Sequence, residues 1–158
     1  MNYYDFYKAP FCKIKIVADE KGVSSIVFVK NISKPNPNKI TRWALKEIDL
    51  YFKKGNLKFT FPVSFQFKGF QKKVMDFIKK IPYGSVCSYE DVAKGIGNKR
   101  AFRAVGQALK RNPLPILFPC HRIIRKDGSL GGFTGGLKTK ENLLKLEGFI
   151  NEKPSSFV

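Results

Sequence analysis

Histidine and cysteine are scarce in this chain. It has one histidine and three cysteines in 158 residues, and no two cysteines are spaced as C-x-x-C. The ligand pairs of a zinc finger are therefore missing, and an odd number of scattered cysteines does not fit a disulfide framework. We expect no bound metal, and we expect free thiols in a reducing compartment.

Long apolar runs and nucleotide-binding motifs are also missing. No apolar stretch reaches the roughly 18 residues of a membrane span, and the first residues lack the basic and apolar regions of a signal peptide. Neither a Walker A motif nor a strand-embedded G-x-G-x-x-G is present. These absences predict a cytoplasmic protein with no membrane partner and no cofactor.

Acidic residues are few. The chain has 12 Asp plus Glu against 30 Lys plus Arg, which gives a net charge of +18 and a pI near 10.0. Such a balance favours a polyanionic partner, and nucleic acid is the first candidate. The alternative is a lysine-rich surface that is merely solvated, and charge alone does not separate the two.

The first part of the chain is typical of a small sheet with a helix. Residues 11–17 and 24–30 are rich in β-forming side chains, and the turn sequence 18–22 separates them. Apolar residues then recur at near-helical spacing over residues 40–51, ahead of a glycine. We predict a small antiparallel sheet on which this helix packs.

A polar, extended segment places a domain boundary within residues 62–68. We assign residues 1–65 to an N-terminal α/β scaffold domain and residues 66–158 to a mainly helical C-terminal domain. The predicted fold class is therefore α+β in two parts.

Three helices are predicted after the boundary. The first covers residues 69–80, and the second begins after Ser88, which caps it together with Asp91. The third covers residues 99–110, beyond a glycine-containing turn. The last two fit a helix-turn-helix, although an ordinary helical hairpin is the commoner arrangement of such a pair.

Cys120 is the strongest candidate for chemistry. It follows an apolar run and stands directly before the only histidine, His121, and Arg122. A cysteine reacts as its thiolate, so a nearby base or positive charge is needed to activate it. The alternative is that Cys120 is a small buried hydrophobic residue in an extended strand.

The sequence around these residues resembles the O6-alkylguanine-DNA alkyltransferases. The resemblance is specific from about residue 68 to residue 148, whereas the first 65 residues match only in layout. The matching motifs are Arg-Ala-Val-Gly at 103–106, Asn-Pro at 112–113, Pro-Cys-His-Arg-Ile at 119–123, Gly-Gly-Phe at 131–133 and Leu-Leu-x-Leu-Glu-Gly at 143–148.

The resemblance implies a methylated-DNA–protein-cysteine S-methyltransferase that acts once. Cys120 accepts the alkyl group, and the thioether that forms has no nearby group to hydrolyse it. His121 is the implied base, acting through a water, and Glu147 orients its imidazole. Asn112 is implied to brace the site. The implied partner is double-stranded DNA containing O6-alkylguanine, with O4-alkylthymine as a further substrate to test.

The resemblance also implies which residues contact DNA. The alkylated base leaves the duplex, Tyr89 helps to flip it, and Arg103 fills the gap from the second helix of the helix-turn-helix, which lies in the minor groove. Phe133 stands where many members carry a tyrosine, so a proton-donating role of that position is in doubt. The predicted DNA and base contacts are Tyr89, Arg103, Ala104, Arg122, Ile123, Phe133 and Thr134.

Two alternatives come from other classes. A non-catalytic protein that binds alkylated DNA shares the helix-turn-helix, but members of that group lack the acceptor cysteine. A cysteine hydrolase with Cys120 and His121 requires direct contact between neighbours, which point to opposite faces of an extended strand. We expect the chain to act as a monomer.

Overall fold

The computed structural model describes residues 1–55 and 58–149. The chain divides into two compact units, Met1–Gln66 and Phe67–Val158. Residues 150–158, which the sequence analysis assigns to the second domain, lie outside the described residues. No helix within the described ranges is both long enough and apolar enough to cross a lipid bilayer.

The first unit is built on an antiparallel sheet of three strands in the order β1-β2-β3. These are β1 (Tyr3–Lys8), β2 (Lys13–Ala18) and β3 (Val23–Val29). The small antiparallel sheet is confirmed, but β1 was not predicted. Its sequence, Tyr-Tyr-Asp-Phe-Tyr-Lys, carries aromatic residues on both faces and so lacks the alternation that marks a half-buried strand.

A single long helix, α1 (Lys39–Lys54), packs on this sheet. Asn38 begins it with a capping box, in which its side chain accepts from the Thr41 backbone NH at 2.8 Å. The helix ends at Gly55, whose φ of 66° disfavours residues with a side chain. Ile48 is fully buried at the contact with the sheet, and burial of one such side chain stabilises the fold by about 2 kcal/mol.

The second unit is mainly helical. Helix α2 (Gly69–Ile78) buries Val74, Met75 and Ile78, and ends two residues before the predicted end. Helix α3 (Tyr89–Gly95) begins with the predicted capping box, because Ser88 Oγ accepts from the Asp91 backbone NH at 3.0 Å. Helix α5 (Leu137–Leu146) closes the described part of the unit.

Helix α4 (Phe102–Lys110) packs on α3 and begins three residues later than predicted. The preceding residues form a separate hydrogen-bonded turn, in which the Ala101 backbone NH donates to the Asn98 carbonyl at 3.0 Å. Val105 and Leu109 are buried as expected, but Ala104 is exposed rather than part of the apolar stripe.

The segment of Cys120 is not the extended strand assumed in the alternative interpretation of this cysteine. Residues Cys120–Arg122 form a 3₁₀ turn, and only β5 (Ile123–Ile124) is extended, paired in parallel with β4 (Cys87–Ser88). Pro119 precedes the turn, and the Arg122 backbone NH donates to its carbonyl at 3.0 Å. In an extended strand the side chains of Cys120 and His121 would point to opposite faces. The turn removes this constraint on how the two side chains are placed.

Candidate active site

Cys120 lies at a pocket of about 800 Å³ within the second unit. Only 7% of the residue is exposed, so solvent reaches the thiol mainly through this pocket. The volume is in the range of small-molecule binding sites. A ligand in the pocket therefore meets a thiol within a largely dry environment.

The protein environment acts on the Cys120 thiol in two directions. Burial raises the pKa of the thiol and is the largest effect, whereas a hydrogen bond from Asn112 and the charge of Lys140 lower it. The net pKa lies above the ordinary value of a cysteine. The resting thiol is therefore protonated at neutral pH, and a base has to remove the proton during reaction.

His121 and Glu147 form a buried pair next to this thiol. The Nε2 of His121 lies 2.7 Å from Oε2 of Glu147, and both side chains are fully buried. An ionised carboxylate only accepts hydrogen bonds, so Nε2 carries the proton and Nδ1 is the free acceptor. Among the described residues, no partner lies within hydrogen-bonding distance of Nδ1.

The charges around this pair favour a neutral imidazole. Burial lowers the pKa of His121, and the charges of Arg122 and Lys140 lower it further, against the opposing effect of Glu147. Burial also raises the pKa of Glu147, but hydrogen bonds from His121 and Arg122 outweigh it and hold this pKa below its usual range. His121 is therefore a neutral base with a fixed tautomer.

Arg122, a predicted DNA contact, is buried and directed toward Glu147. Its Nε donates to Glu147 Oε1 at 2.7 Å and its Nη2 donates to Oε2 at 2.9 Å, while Nη1 donates to the Ile81 carbonyl at 2.8 Å. A guanidinium presents its donors as a planar fork that matches a carboxylate, and the buried Glu147 supplies one. The guanidinium is thus engaged within the protein, and the DNA contact of Arg122 stays a prediction.

Asn112 holds the chain segment that leads to Cys120. Its Nδ2 donates to the Phe118 carbonyl at 3.0 Å, and its Oδ1 accepts from the Leu114 backbone NH at 2.9 Å. Both contacts are buried, so the side chain replaces backbone hydrogen bonds that an irregular segment cannot make itself. The geometry is that of a brace, as the resemblance implies.

Four of the predicted DNA-contacting residues line the pocket: Tyr89, Arg103, Phe133 and Thr134. Tyr89 is the first residue of α3, and burial raises the pKa of its phenol. Arg103 is exposed on α4 at the edge of the pocket. The remaining two, Phe133 and Thr134, lie in the segment that leads to α5.

Two other predicted contacts lie outside the pocket lining. Ala104 is exposed on α4, one residue after Arg103. The Ile123 side chain is fully buried, and its carbonyl accepts from Lys140 Nζ at 2.5 Å. Only the second lone pair of that carbonyl is therefore available to a ligand.

Lys140 is a site residue that the sequence analysis missed. It is fully buried, and its Nζ also donates to the Leu130 and Gly132 carbonyls. Burial lowers its pKa to about 8. The available signal was its position, because Lys140 shares the buried stripe of α5 with Leu143 and Leu144, where a lysine is out of place.

Gly131 is a second residue that was not singled out for its packing. Its φ of 73° lies in the left-handed region, and a Cβ at this position would lie 2.6 Å from the Tyr89 Oη. Only glycine therefore lets the loop pass so close to the tyrosine. The close contact between this loop and the tyrosine holds both in position on one side of the pocket.

The arrangement of these groups is suited to a nucleophile, a base and an orienting carboxylate. Cys120 faces the pocket, His121 is neutral with a free Nδ1, and Glu147 fixes the imidazole. This order is the one found in catalytic triads, whichever fold carries it. The site is equipped for attack by a thiolate on an electrophile held in the pocket.

Comparison with known proteins finds relatives that belong to one family. A family model for the DNA-binding domain of 6-O-methylguanine DNA methyltransferase matches residues 69–149. The methylated-DNA–protein-cysteine methyltransferase of Methanosarcina acetivorans is 41% identical over 155 residues, covering 92% of this chain and 98% of that protein. The constitutive enzyme of that name in Bacillus subtilis is 36% identical, with 93% and 96% covered.

Solved structures agree with this result. The crystal structure of Mycobacterium tuberculosis O6-methylguanine methyltransferase matches with a TM-score of 0.82 at 27% identity, and 100% of both chains is covered. A structure of M. tuberculosis OGT in complex with DNA matches with a TM-score of 0.81 at 28% identity, covering 92% of each chain. The fold of the chain is thus that of these methyltransferases.

Proposed function

The chain belongs to the 6-O-methylguanine DNA methyltransferase family, and we propose that Cys120 is its acceptor for alkyl groups from O6-alkylguanine in DNA. The resemblance drawn from the sequence is confirmed. The activity is direct reversal of DNA damage, by transfer of an alkyl group from DNA to a cysteine of the protein. The position of Cys120, at a pocket and next to a buried His121–Glu147 pair, carries the proposal.

The transfer is a displacement at the alkyl carbon. The Cys120 sulfur forms a new bond to this carbon while the bond from carbon to guanine O6 breaks. The electron pair of the broken bond stays with guanine, which takes up a proton from its surroundings. A thiolate is a soft nucleophile suited to a saturated carbon, and the thioether product is stable. Each molecule therefore acts once.

His121 removes the thiol proton in this scheme. The free acceptor is Nδ1, and the resemblance implies that a water relays the proton to it from the Cys120 sulfur. Glu147, which Arg122 holds in place, stabilises the charged imidazolium of His121. Glu147 does not take the proton itself, since its pKa is held below its usual range. Lys140 adds positive charge that favours the thiolate.

DNA binding is assigned to α3 and α4, which we propose act as a helix-turn-helix. The exposed Arg103 fills the gap left by the flipped nucleotide, and the small Ala104 beside it allows close approach to the minor groove. Tyr89, Phe133 and Thr134 surround the flipped base in the pocket. Flipping costs a few kcal/mol, which contacts of this kind offset.

Two further properties belong to the proposal. We infer that the chain works as a monomer, because the nucleophile, the base and the pocket all lie within one unit of one chain. We also infer a cytoplasmic location, because a reactive free thiol requires a reducing compartment.

The proposal is tested by counting transferred methyl groups. A duplex oligonucleotide with labelled O6-methylguanine is mixed with excess protein, and then with limiting protein. With excess protein we expect every labelled methyl group to be transferred, and with limiting protein we expect one methyl group per protein molecule and no further transfer. Cys120→Ser is expected to bind the duplex without accepting methyl, whereas Cys87→Ser is expected to behave as the unchanged protein. Continued turnover, or full transfer to Cys120→Ser, would contradict the proposal.

A further inference from the structure

The sheet of the first unit has one face that packs on α1. Its other face carries aromatic and lysine side chains. Ile14 and Ile16 are fully buried on the α1 side, and the partly buried Tyr7 on the same side stacks on Phe52 of α1. The alternate residues point the other way. We call this second face the outer sheet face, and define it by Tyr4, Phe6, Lys8, Lys13, Lys15 and Val27.

The residues of the outer sheet face are neighbours across the strands. Phe6 lies opposite Lys15, and Lys15 lies opposite Val27. None of the six is buried, and Val27 is 43% exposed. An aromatic, a cationic and an apolar side chain therefore form one accessible row.

The face has charge of one sign. The face carries three lysines, and the only acidic residue in the three strands is Asp5, which alternates with Tyr4 and Phe6 and so belongs to the other side. Among the residues that the structure describes, neither Lys13 nor Lys15 forms an ion pair with a carboxylate. The face is complementary to a polyanion.

Its aromatic residues lie close to these cations. The rings of Tyr4 and Phe6 have centroids 6.1 Å apart at an angle of 81°, and Lys15 Nζ lies 4.5 Å from the Tyr4 centroid. A phosphate attracts an ammonium group more strongly than a ring does, so we expect a phosphodiester to compete with the Tyr4 ring for Lys15. Pairing of Lys15 with a phosphate would leave the ring available for stacking.

We propose that the outer sheet face binds single-stranded nucleic acid without sequence preference. Unpaired bases stack on Tyr4 and Phe6, and Lys8, Lys13 and Lys15 pair with the phosphates between them. Accessible aromatics on a sheet flanked by cations are a general means of holding unpaired strands. The inference rests on the proposed function only in that the chain acts on DNA, where unpaired strands occur.

Binding of the full chain to a single-stranded oligothymidine tests the inference. Anisotropy titrations over a series of salt concentrations compare Phe6→Thr, Lys15→Gln and a matched control. Threonine retains β propensity at position 6. The control is Lys46→Gln, which removes the same charge from an exposed site on α1.

We expect Phe6→Thr to weaken binding about tenfold through loss of one stacked base. Lys15→Gln is expected to reduce the slope of log affinity against log salt by about 0.7, the value for one phosphate contact with a single strand. Lys46→Gln is expected to leave both quantities unchanged. If Lys15→Gln and Lys46→Gln behave alike, or Phe6→Thr has no effect, the face is only a charged surface and the inference is wrong.

Photocrosslinking of the unchanged chain provides a result that does not depend on variant folding. With halogenated uracil in the oligonucleotide, we expect crosslinked peptides that contain Tyr4 or Phe6. Crosslinks confined to the second unit would overturn the inference. Methyl transfer from the free O6-methylguanine base to the unchanged chain is measured in parallel. An absence of transfer would contradict the proposed function but would leave the result on single-strand binding valid.

Discussion

Glu147 Oε2 accepts hydrogen bonds from His121 Nε2 at 2.7 Å and from Arg122 Nη2 at 2.9 Å, so one buried oxygen joins the imidazole to the guanidinium. The carboxylate is thereby held in place from two sides, and the imidazole tautomer is fixed. Arg122 contacts Glu147, so in the proposed reaction it acts through Glu147 as a positioning residue rather than a catalytic one.

This arrangement predicts how stability responds to loss of each partner. Glu147→Gln leaves the Arg122 guanidinium buried without a counter-charge, and we expect the free energy of unfolding to fall by about 3 kcal/mol. In the double variant Glu147→Gln/Arg122→Met no buried charge remains unpaired, so the loss is expected to be smaller than in the single variant. Urea unfolding measures both. A double variant that is less stable than Glu147→Gln would contradict the buried pair.

Lys140 predicts a pH-dependent rate. Its charge lowers the pKa of Cys120, so Lys140→Met raises that pKa and is expected to slow transfer about tenfold at neutral pH. The unchanged chain itself loses this charge as the pH rises through about 8, the pKa of Lys140. The two rates are therefore expected to converge above that pH in single-turnover measurements.

The control for this prediction is Lys138→Met, an exposed lysine on the same helix, which is expected to leave the rate unchanged throughout. A constant ratio between Lys140→Met and the unchanged chain at every pH would mean that Lys140 only supports the carbonyls of the loop.

Gly131 predicts a steric effect on the pocket. Alanine at this position is strained at a φ of 73° and brings its Cβ to 2.6 Å from the Tyr89 Oη, so the tyrosine has to move. Misplacement of a positioning group by about 1 Å costs up to roughly a hundredfold in rate. Gly132→Ala is the matched control, because nothing lies within 4 Å of its Cβ position. Equal transfer rates for both variants would contradict a role for this contact.

Arg103 predicts a difference between substrates. Arg103→Ala loses the side chain that fills the gap in the duplex, and we expect transfer from a duplex to slow about tenfold while transfer from the free base is unchanged. Arg100→Ala removes an exposed arginine from the turn before α4 and is the control. If the transfer rate fell equally on the duplex and on the free base, Arg103 would have no role in base flipping.

Local patterns were enough for much of the fold. The alternation in β2 and β3 predicted the sheet, and Ser88 with Asp91 predicted the start of α3, because each signal lies within a few residues. The missed strand β1 has aromatic residues on both faces, so its pairing with β2 decides its structure. Propensity alone does not reveal such a strand.

The interior of the site depends on contacts between distant residues. Arg122 was predicted to contact DNA, but its partners are Glu147 and the Ile81 carbonyl, which lie 25 and 41 positions away in the sequence. Lys140 gains its role from three carbonyls of another segment. Resemblance to a family supplied Cys120, His121 and Glu147 as candidates, but the direction of Arg122 and the burial of Lys140 required the fold.

The central claim is that Cys120 takes the alkyl group, and mass spectrometry tests it most directly. The protein is incubated with a duplex oligonucleotide containing O6-methylguanine, its intact mass is measured, and the modified species is mapped by peptide. We predict a gain of one methylene unit, located on Cys120. A gain on Cys12 or Cys87, or no gain despite tight binding of the modified duplex, would contradict the account.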